Sequence, residues 1–124
     1  MQSVSSNAVA VALNYDLLWT NTSPNNPFED QIITAQTLGV DLSQYKSIKI
    51  YFNFGTGDNT SYFQEVLKNK ATSLSAISDY MFTRKVTFTD SDITFGKGSG
   101  FLTYGGSRSI SNNWVIPLEI YGVK

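Results

Sequence analysis

Three groupings in this chain have residue types and spacings suited to chemistry. Asp90-Ser91-Asp92 sets two carboxylates at i and i+2, the opening of a calcium loop. The glycine at the sixth position and the glutamate at the twelfth are missing, so the segment reads as a turn with solvated carboxylates. A calcium site completed by other loops is the alternative. Glu65 and Glu119 both fall on expected strands, and a glycosidase needs only two carboxylates at a suitable separation. Nothing in their local sequence marks them, and each reads as a solvent-facing strand residue. Gly55-Thr56-Gly57-Asp58-Asn59-Thr60 follows a strand as a dinucleotide fingerprint would, but Thr60 stands where the third glycine belongs. It reads as a hairpin loop. Gly96-Lys97-Gly98-Ser99-Gly100 lacks the phosphate-loop spacing and reads as a flexible loop.

The chain has no cysteine and no histidine. Disulfides, thiolate chemistry and cysteine-based zinc sites go with the first, and the usual general base and transition-metal ligand with the second. The expectation is a protein that is not an enzyme, with no catalytic residue, no metal and no cofactor. Nine Lys and Arg against ten Asp and Glu leave a net charge of −1 with no basic run, which argues against nucleic acid as the partner. No stretch approaches the 18 or more apolar residues of a membrane span, and Met1-Gln2-Ser3 lacks the basic start of a signal peptide. The sequons at Asn21 and Asn59 therefore read as chance matches.

Aromatic residues are the remaining chemical resource. Trp19, Trp114, Tyr62, Tyr80, Tyr104 and Tyr121 offer apolar faces with polar tips, suited to stacking on sugar rings, although most are expected in the core or an interface. Tyr104 and Trp114 flank Gly- or Asn-rich turns and are the ones expected to be exposed. Asp58, Asn59, Arg108, Asn112 and Asn113 sit in loops, where a rigid scaffold usually carries its binding groups. These seven residues are the candidate ligand site.

The elements that must position them read as strands. Ser47 to Phe54 alternates, with Ile48, Ile50, Phe52 and Phe54 on one face. Met81 to Thr89 alternates too, with Arg84 interrupting its apolar face and so expected near an edge or reaching outward. Trp114 to Tyr121 places Ile116, Leu118 and Ile120 inward, and Pro117 suggests an edge or a bulge. Leu17 to Thr20, Gln31 to Gln36, Ile93 to Phe95 and Phe101 to Tyr104 are shorter candidates. Ser61 to Lys70 fits a helix or a strand, and its place after a turn-rich loop favours the second strand of a hairpin. Short strands between Gly-rich turns mean an all-β sandwich or barrel in one domain.

The N-terminal stretch differs. Val4 to Asn14 reads as a short helix capped by Ser5, Ser6 or Asn7. Val4, Ala8, Val11, Tyr15 and Leu18 follow a coiled-coil seam, and a dozen or so residues is too short to persist alone. Copies of the same segment in sister chains are the natural partner. Val4-Ser5-Ser6-Asn7-Ala8-Val9-Ala10-Val11-Ala12-Leu13 resembles the linking helix of tail-fibre and baseplate-associated proteins of bacteriophages and prophages. Leu17-Leu18-Trp19-Thr20-Asn21 with Ser23-Pro24 resembles the start of their C-terminal heads, and Ile116 to Lys124 resembles their ending. The resemblance implies a jelly-roll-like β-sandwich head at 16–124 behind a stem helix at 1–15, assembled as a homotrimer. It implies a longer fibre upstream, a place in the virion tail after synthesis in the bacterial cytoplasm, and attachment to a host cell-surface glycan. A purely structural trimerising cap and a carbohydrate-active enzyme or its accessory module are the alternatives.

Overall fold

The computed structural model describes residues 15–57, 60–77, 80–102 and 108–124. Val4, Ala8 and Val11 lie outside them, as do Asp58, Asn59 and Tyr104. The described residues form nine strands: β1 (Tyr15–Thr20), β2 (Gln31–Thr34), β3 (Ser47–Gly55), β4 (Ser61–Leu67), β5 (Thr72–Ile77), β6 (Tyr80–Phe88), β7 (Asp92–Leu102), β8 (Ser109–Ile110) and β9 (Trp114–Val123). Two short helical turns occur, a 3-10 turn at Leu42–Gln44 and α1 (Ala35–Leu38), which starts on the Thr34 hydroxyl accepting from Thr37 N at 3.1 Å. α1 stops at Gly39, whose φ of 70° suits glycine.

Two antiparallel sheets pack face to face. The first runs β1-β9-β3-β4, and the second β2-β7-β6-β5 with β8 beside the far half of β7. The first strand pairs with the last and β2 with β7, as in a jelly roll, while β3–β4 and β5–β6 are plain hairpins. The fold is therefore an all-β sandwich, jelly-roll-like in its outer wrap. Alternation fills the core: Ile48, Ile50 and Phe52 from β3 meet Val86, Phe88, Ile93 and Phe95 from the opposite sheet, all at most 1% exposed.

The two lateral seams between the sheets differ. Between β4 and β5, Gln64 Nε2 donates to Ser73 O at 2.8 Å and Gln64 Oε1 accepts from Ser75 N at 3.3 Å. The carboxamide thus acts as a surrogate peptide group, joining the two edges and occupying backbone groups that a free edge would offer to another chain. No comparable bridge joins β1 to β2 among the described residues, and that seam stays open toward one end.

Several expectations are corrected. Tyr15 and Leu18 belong to β1, paired with β9 of the same chain, because Trp19 and its neighbours must enter the core with strand spacing. They do not continue a helical stripe. Gly96 to Gly100 is the middle of β7 rather than a loop; a Cβ on Gly98 would sit 2.7 Å from Trp114 O, and one on Gly100 would strike the Phe82 ring. Small size is what those positions need. The strand expected at Gln31 to Gln36 ends at Thr34, where α1 begins, and of that expected at Phe101 to Tyr104 the residues Phe101 and Leu102 close β7 while the other two lie outside the described residues. Pro117 lies in β9, a central strand, where the register with β3 shifts between Tyr51 and Phe52; the bulge is present and the edge is not. That shift leaves Leu118 half-buried while Val115, Ile116 and Pro117 are buried.

Arg84 is the largest correction. It is fully buried, not reaching outward. Its Nε donates to Val115 O (2.8 Å), Nη1 to Gly96 O (2.7 Å) and Nη2 to Trp114 O (2.9 Å), with longer bonds to Asn112 O and Oδ1. Backbone carbonyls replace water around the guanidinium, so the cation stays inside.

Candidate functional site

Residues Thr20 to Phe28, Thr56 and Gly57 after β3, and the 111–114 segment gather at one end of the sandwich. Thr20, Gly55 and Trp114 mark that end by their pairings, while Tyr15, Ser47 and Val123 mark the other. Of the seven expected ligand residues, the structure places Trp114, Asn112 and Asn113 there. Their roles differ from expectation.

Trp114 is half-buried, stacked on Phe82 at 4.5 Å between ring centroids, and belongs to the rim of the core. Asn112 is structural. Its carbonyl accepts from Phe28 N at 2.9 Å, its Oδ1 accepts from Gly98 N at 3.2 Å, and its Nδ2 donates to Glu29 Oε2 at 2.9 Å. Asn113 is exposed, and its carbonyl accepts from Thr56 N at 2.8 Å, tying the segment to the end of β3. Arg108 donates to Ser99 Oγ at 3.1 Å from the outer side of the second sheet. These residues do not converge on a common point.

Arg84 holds this end from beneath. It joins β6 to Gly96 of β7 and to Asn112, Trp114 and Val115, and its guanidinium carbon lies 5.2 Å from the Phe28 ring centre. Val115 has φ of 53°, a conformation that costs a β-branched residue about 1–3 kcal/mol, and both flanking carbonyls are held by the guanidinium. Burial pushes Arg84 down to about 10, opposed by the charges of Asp30 and Glu29, so it stays charged at neutral pH.

Above Phe28 the open seam forms a cleft of about 380 Å³, within the ~300–1,000 Å³ of small-molecule sites. Trp19 and Pro27 supply apolar walls, and Thr22, Glu29 and Gln31 the polar groups. Trp19 packs edge-on to Phe28 at 5.9 Å, which fixes the indole. Asn21 braces the wall: its Nδ2 donates to Pro117 O and its Oδ1 accepts from Ser23 N, both at 2.8 Å. Trp19 was recognisable as a stacking candidate; Glu29 and Gln31 were not, because no spacing marks them and only the β1–β2 path brings them to Trp19.

A second feature covers the outer face of the first sheet. Cross-strand pairing lines up Leu17, Tyr121 and Lys49 in one row, and Glu119, Tyr51 and Phe63 in the next. Tyr51 and Phe63 lie 4.8 Å apart with 39% and 45% of their surface exposed. Lys49 hydrogen-bonds Tyr15 and sits 4.9 Å from the Phe63 ring centre. Glu65 accepts from Ser47 Oγ at 2.5 Å and Glu119 from Tyr121 OH at 3.3 Å. Burial, then the Glu119 charge, raise the Tyr121 hydroxyl above its usual range. The two carboxylates stand on β4 and β9, the strands that flank β3 and lie roughly 10 Å apart by strand spacing, and they are offset by two residues along β3.

Asp90 pairs with Lys68 at 2.6 Å and Asp92 accepts from Thr89 Oγ1 at 3.3 Å, so both carboxylates serve their turn. No group of three or more metal-binding side chains occurs among the described residues, and no helix among them is long and apolar enough to cross a membrane. No family model, no curated protein and no solved structure matches this chain.

Proposed function

We propose that this chain is the tip domain of a bacteriophage or prophage tail fibre or baseplate-associated protein, and that it attaches to a polysaccharide on the host surface. The loop-end cleft carries the reading: an indole wall beside free acceptor groups, on a scaffold fixed by buried hydrogen bonds, is the chemistry that holds a sugar ring. Position supports it as well. β1 begins at the opposite end, so a stem joined ahead of Tyr15 leaves the cleft facing outward. Each site is shallow and weak. Repeated on three copies, such sites act together through effective concentration.

Immobilised wall and capsular polysaccharides should retain the purified chain, and Glu29→Gln with Gln31→Ala, which keeps an acceptor for Asn112, should weaken retention at least fivefold in a chain that still unfolds cooperatively. A folded chain that binds no polysaccharide in such a panel refutes the proposal. The outer face of the first sheet favours a second reading, a trimerising cap. Its Tyr51 and Phe63 rings are exposed while Lys49, Glu65 and Glu119 are already bonded within the face, which suits contact with a sister copy. Light scattering should then give a trimer that Phe63→Glu dissociates.

A further inference from the structure

Resting on the reading that the loop-end cleft holds a sugar, we infer that it selects a unit rich in hydrogen-bond donors and free of negative charge, and that an amino sugar is its best ligand. The evidence is what the lining leaves unsatisfied. Asn21 is used up by Pro117 and Ser23. Gln31 spends its Nε2 on Glu29 O at 2.9 Å, which leaves its Oε1 without a partner among the described residues. Glu29 gives Oε2 to Asn112, and its Oε1 has no partner among them either. Among its carboxylate and carboxamide groups the cleft thus offers two free acceptor oxygens, one of them charged, beside the hydroxyls of Thr20, Thr22 and Ser23 and the Trp19 indole. Sugar hydroxyls and ammonium groups are donors, and a cation is also attracted by an aromatic face.

Charge points the same way. No lysine or arginine lines the cleft. Behind it, the single guanidinium of Arg84 faces the carboxylates of Glu29 and Asp30, and its five donors already point at Gly96, Asn112, Trp114 and Val115. A phosphate or a uronic acid entering here meets a net negative charge and no free fork to receive it. A protonated amine meets Glu29.

The test is an NMR titration of the intact chain with glucosamine, glucose and glucuronic acid, below the amine pKa of glucosamine. The signals followed are the indole N–H that Trp19→Phe removes and the backbone amides of Thr22 and Gln31. Glucosamine and glucose should shift them, glucosamine with about two- to fivefold tighter binding, the range of an exposed ion pair. Glucuronic acid should not. Glu29→Gln keeps an acceptor for Asn112 and should bring glucosamine to the affinity of glucose. Equal shifts with glucuronic acid, or an amine preference that survives Glu29→Gln, overturn this inference and leave the sugar-binding reading standing. If sugars shift only Tyr51 and Phe63, the cleft assignment falls and polysaccharide binding moves to the sheet face. If neither sugars nor polysaccharide bind, both fall.

Discussion

Each end of the sandwich is organised around one cation, and the two cations solve opposite problems. At the cleft end, Arg84 is 0% exposed and bonds to neutral carbonyls without any carboxylate in reach of a hydrogen bond. At the other end, the Lys68 side chain keeps 17% of its surface. It pairs with Asp90 at 2.6 Å, donates to Leu42 O at 3.0 Å and lies 5.0 Å from the Phe88 ring centre. Lys68 staples β4 to the β6–β7 turn at the surface. Arg84 instead replaces solvent for a backbone segment that has nowhere else to send its carbonyls. Where a loop has to hold an unusual conformation, as at Val115, a buried planar fork does what an exposed ammonium cannot.

Removing each cation should therefore have very different consequences. Arg84→Met keeps the apolar stem but strands the carbonyls of Gly96, Trp114 and Val115 in the interior. We expect a loss of roughly 3–5 kcal/mol in the urea midpoint analysis, the scale of breaking a buried charged network. Arg84→Lys should restore little of it, since one ammonium cannot reach carbonyls on two separate segments. Protection of the 111–116 amides from hydrogen exchange should fall first. A loss under 1 kcal/mol would mean that water enters and solvates these carbonyls, and the distinction between the two ends would collapse.

Lys68→Met is the counterpart. Its stem can still cover Phe88, and water can solvate Asp90, whose side chain is already 67% exposed. We expect about 1–2 kcal/mol, mostly from the hydrogen bond to the Leu42 carbonyl, and a difference from wild type that narrows in high salt because salt screens the wild-type ion pair. A cost equal to that of Arg84→Met would show that both ends are built the same way.

The cores of both ends were readable in the sequence, and the buried cation was not. Alternation in β3, β6 and β9 announced itself because half-buried strands repeat every two residues, and the β3–β4 hairpin followed from it. Arg84 sat on that alternating face and was expected to seek water, since no local pattern states that carbonyls thirty residues away will stand in for it. The same blind spot hid β7. Gly98 and Gly100 look like loop composition, yet they are strand positions emptied to admit the Trp114 carbonyl and the Phe82 ring. The cleft was half legible: Trp19 suggested stacking by its type, whereas Glu29 and Gln31 acquire meaning only from the route of the chain between β1 and β2. Asn112, by contrast, looked like a loop donor and is occupied by Phe28, Gly98 and Glu29.

The smallest effect tests whether the end away from the cleft is tuned by surface electrostatics at all. The Tyr45 ring packs against Gly122, where a Cβ would come within 2.6 Å, and its hydroxyl donates to Asp16 Oδ2 at 2.7 Å. That bond, aided by Lys124 at 3.3 Å, holds the Asp16 carboxyl below its ordinary range against a smaller opposing effect of burial. Burial and the Asp16 charge together hold the Tyr45 hydroxyl well above its own. A carboxyl whose folded value lies below its unfolded value of about 3.9 adds stability above that pH and loses it as the pH falls through the folded value. A phenol raised above about 10 adds stability below that pH and loses it as the pH climbs toward the folded value. Tyr45→Phe keeps the ring and deletes the bond, so it should cost about 0.5–1 kcal/mol at neutral pH, with water replacing the hydroxyl at the partly exposed carboxylate. The acid limb of the stability profile should move to higher pH, because only Lys124 still lowers Asp16, and the alkaline limb due to Tyr45 should vanish. Equilibrium unfolding between pH 3 and pH 11 reads both limbs, about the range over which they separate. If the two profiles run parallel, the Tyr45–Asp16 pair adds packing and no electrostatic stability, and the ion pairs of Lys68 and Lys124 carry the charge contribution at this end.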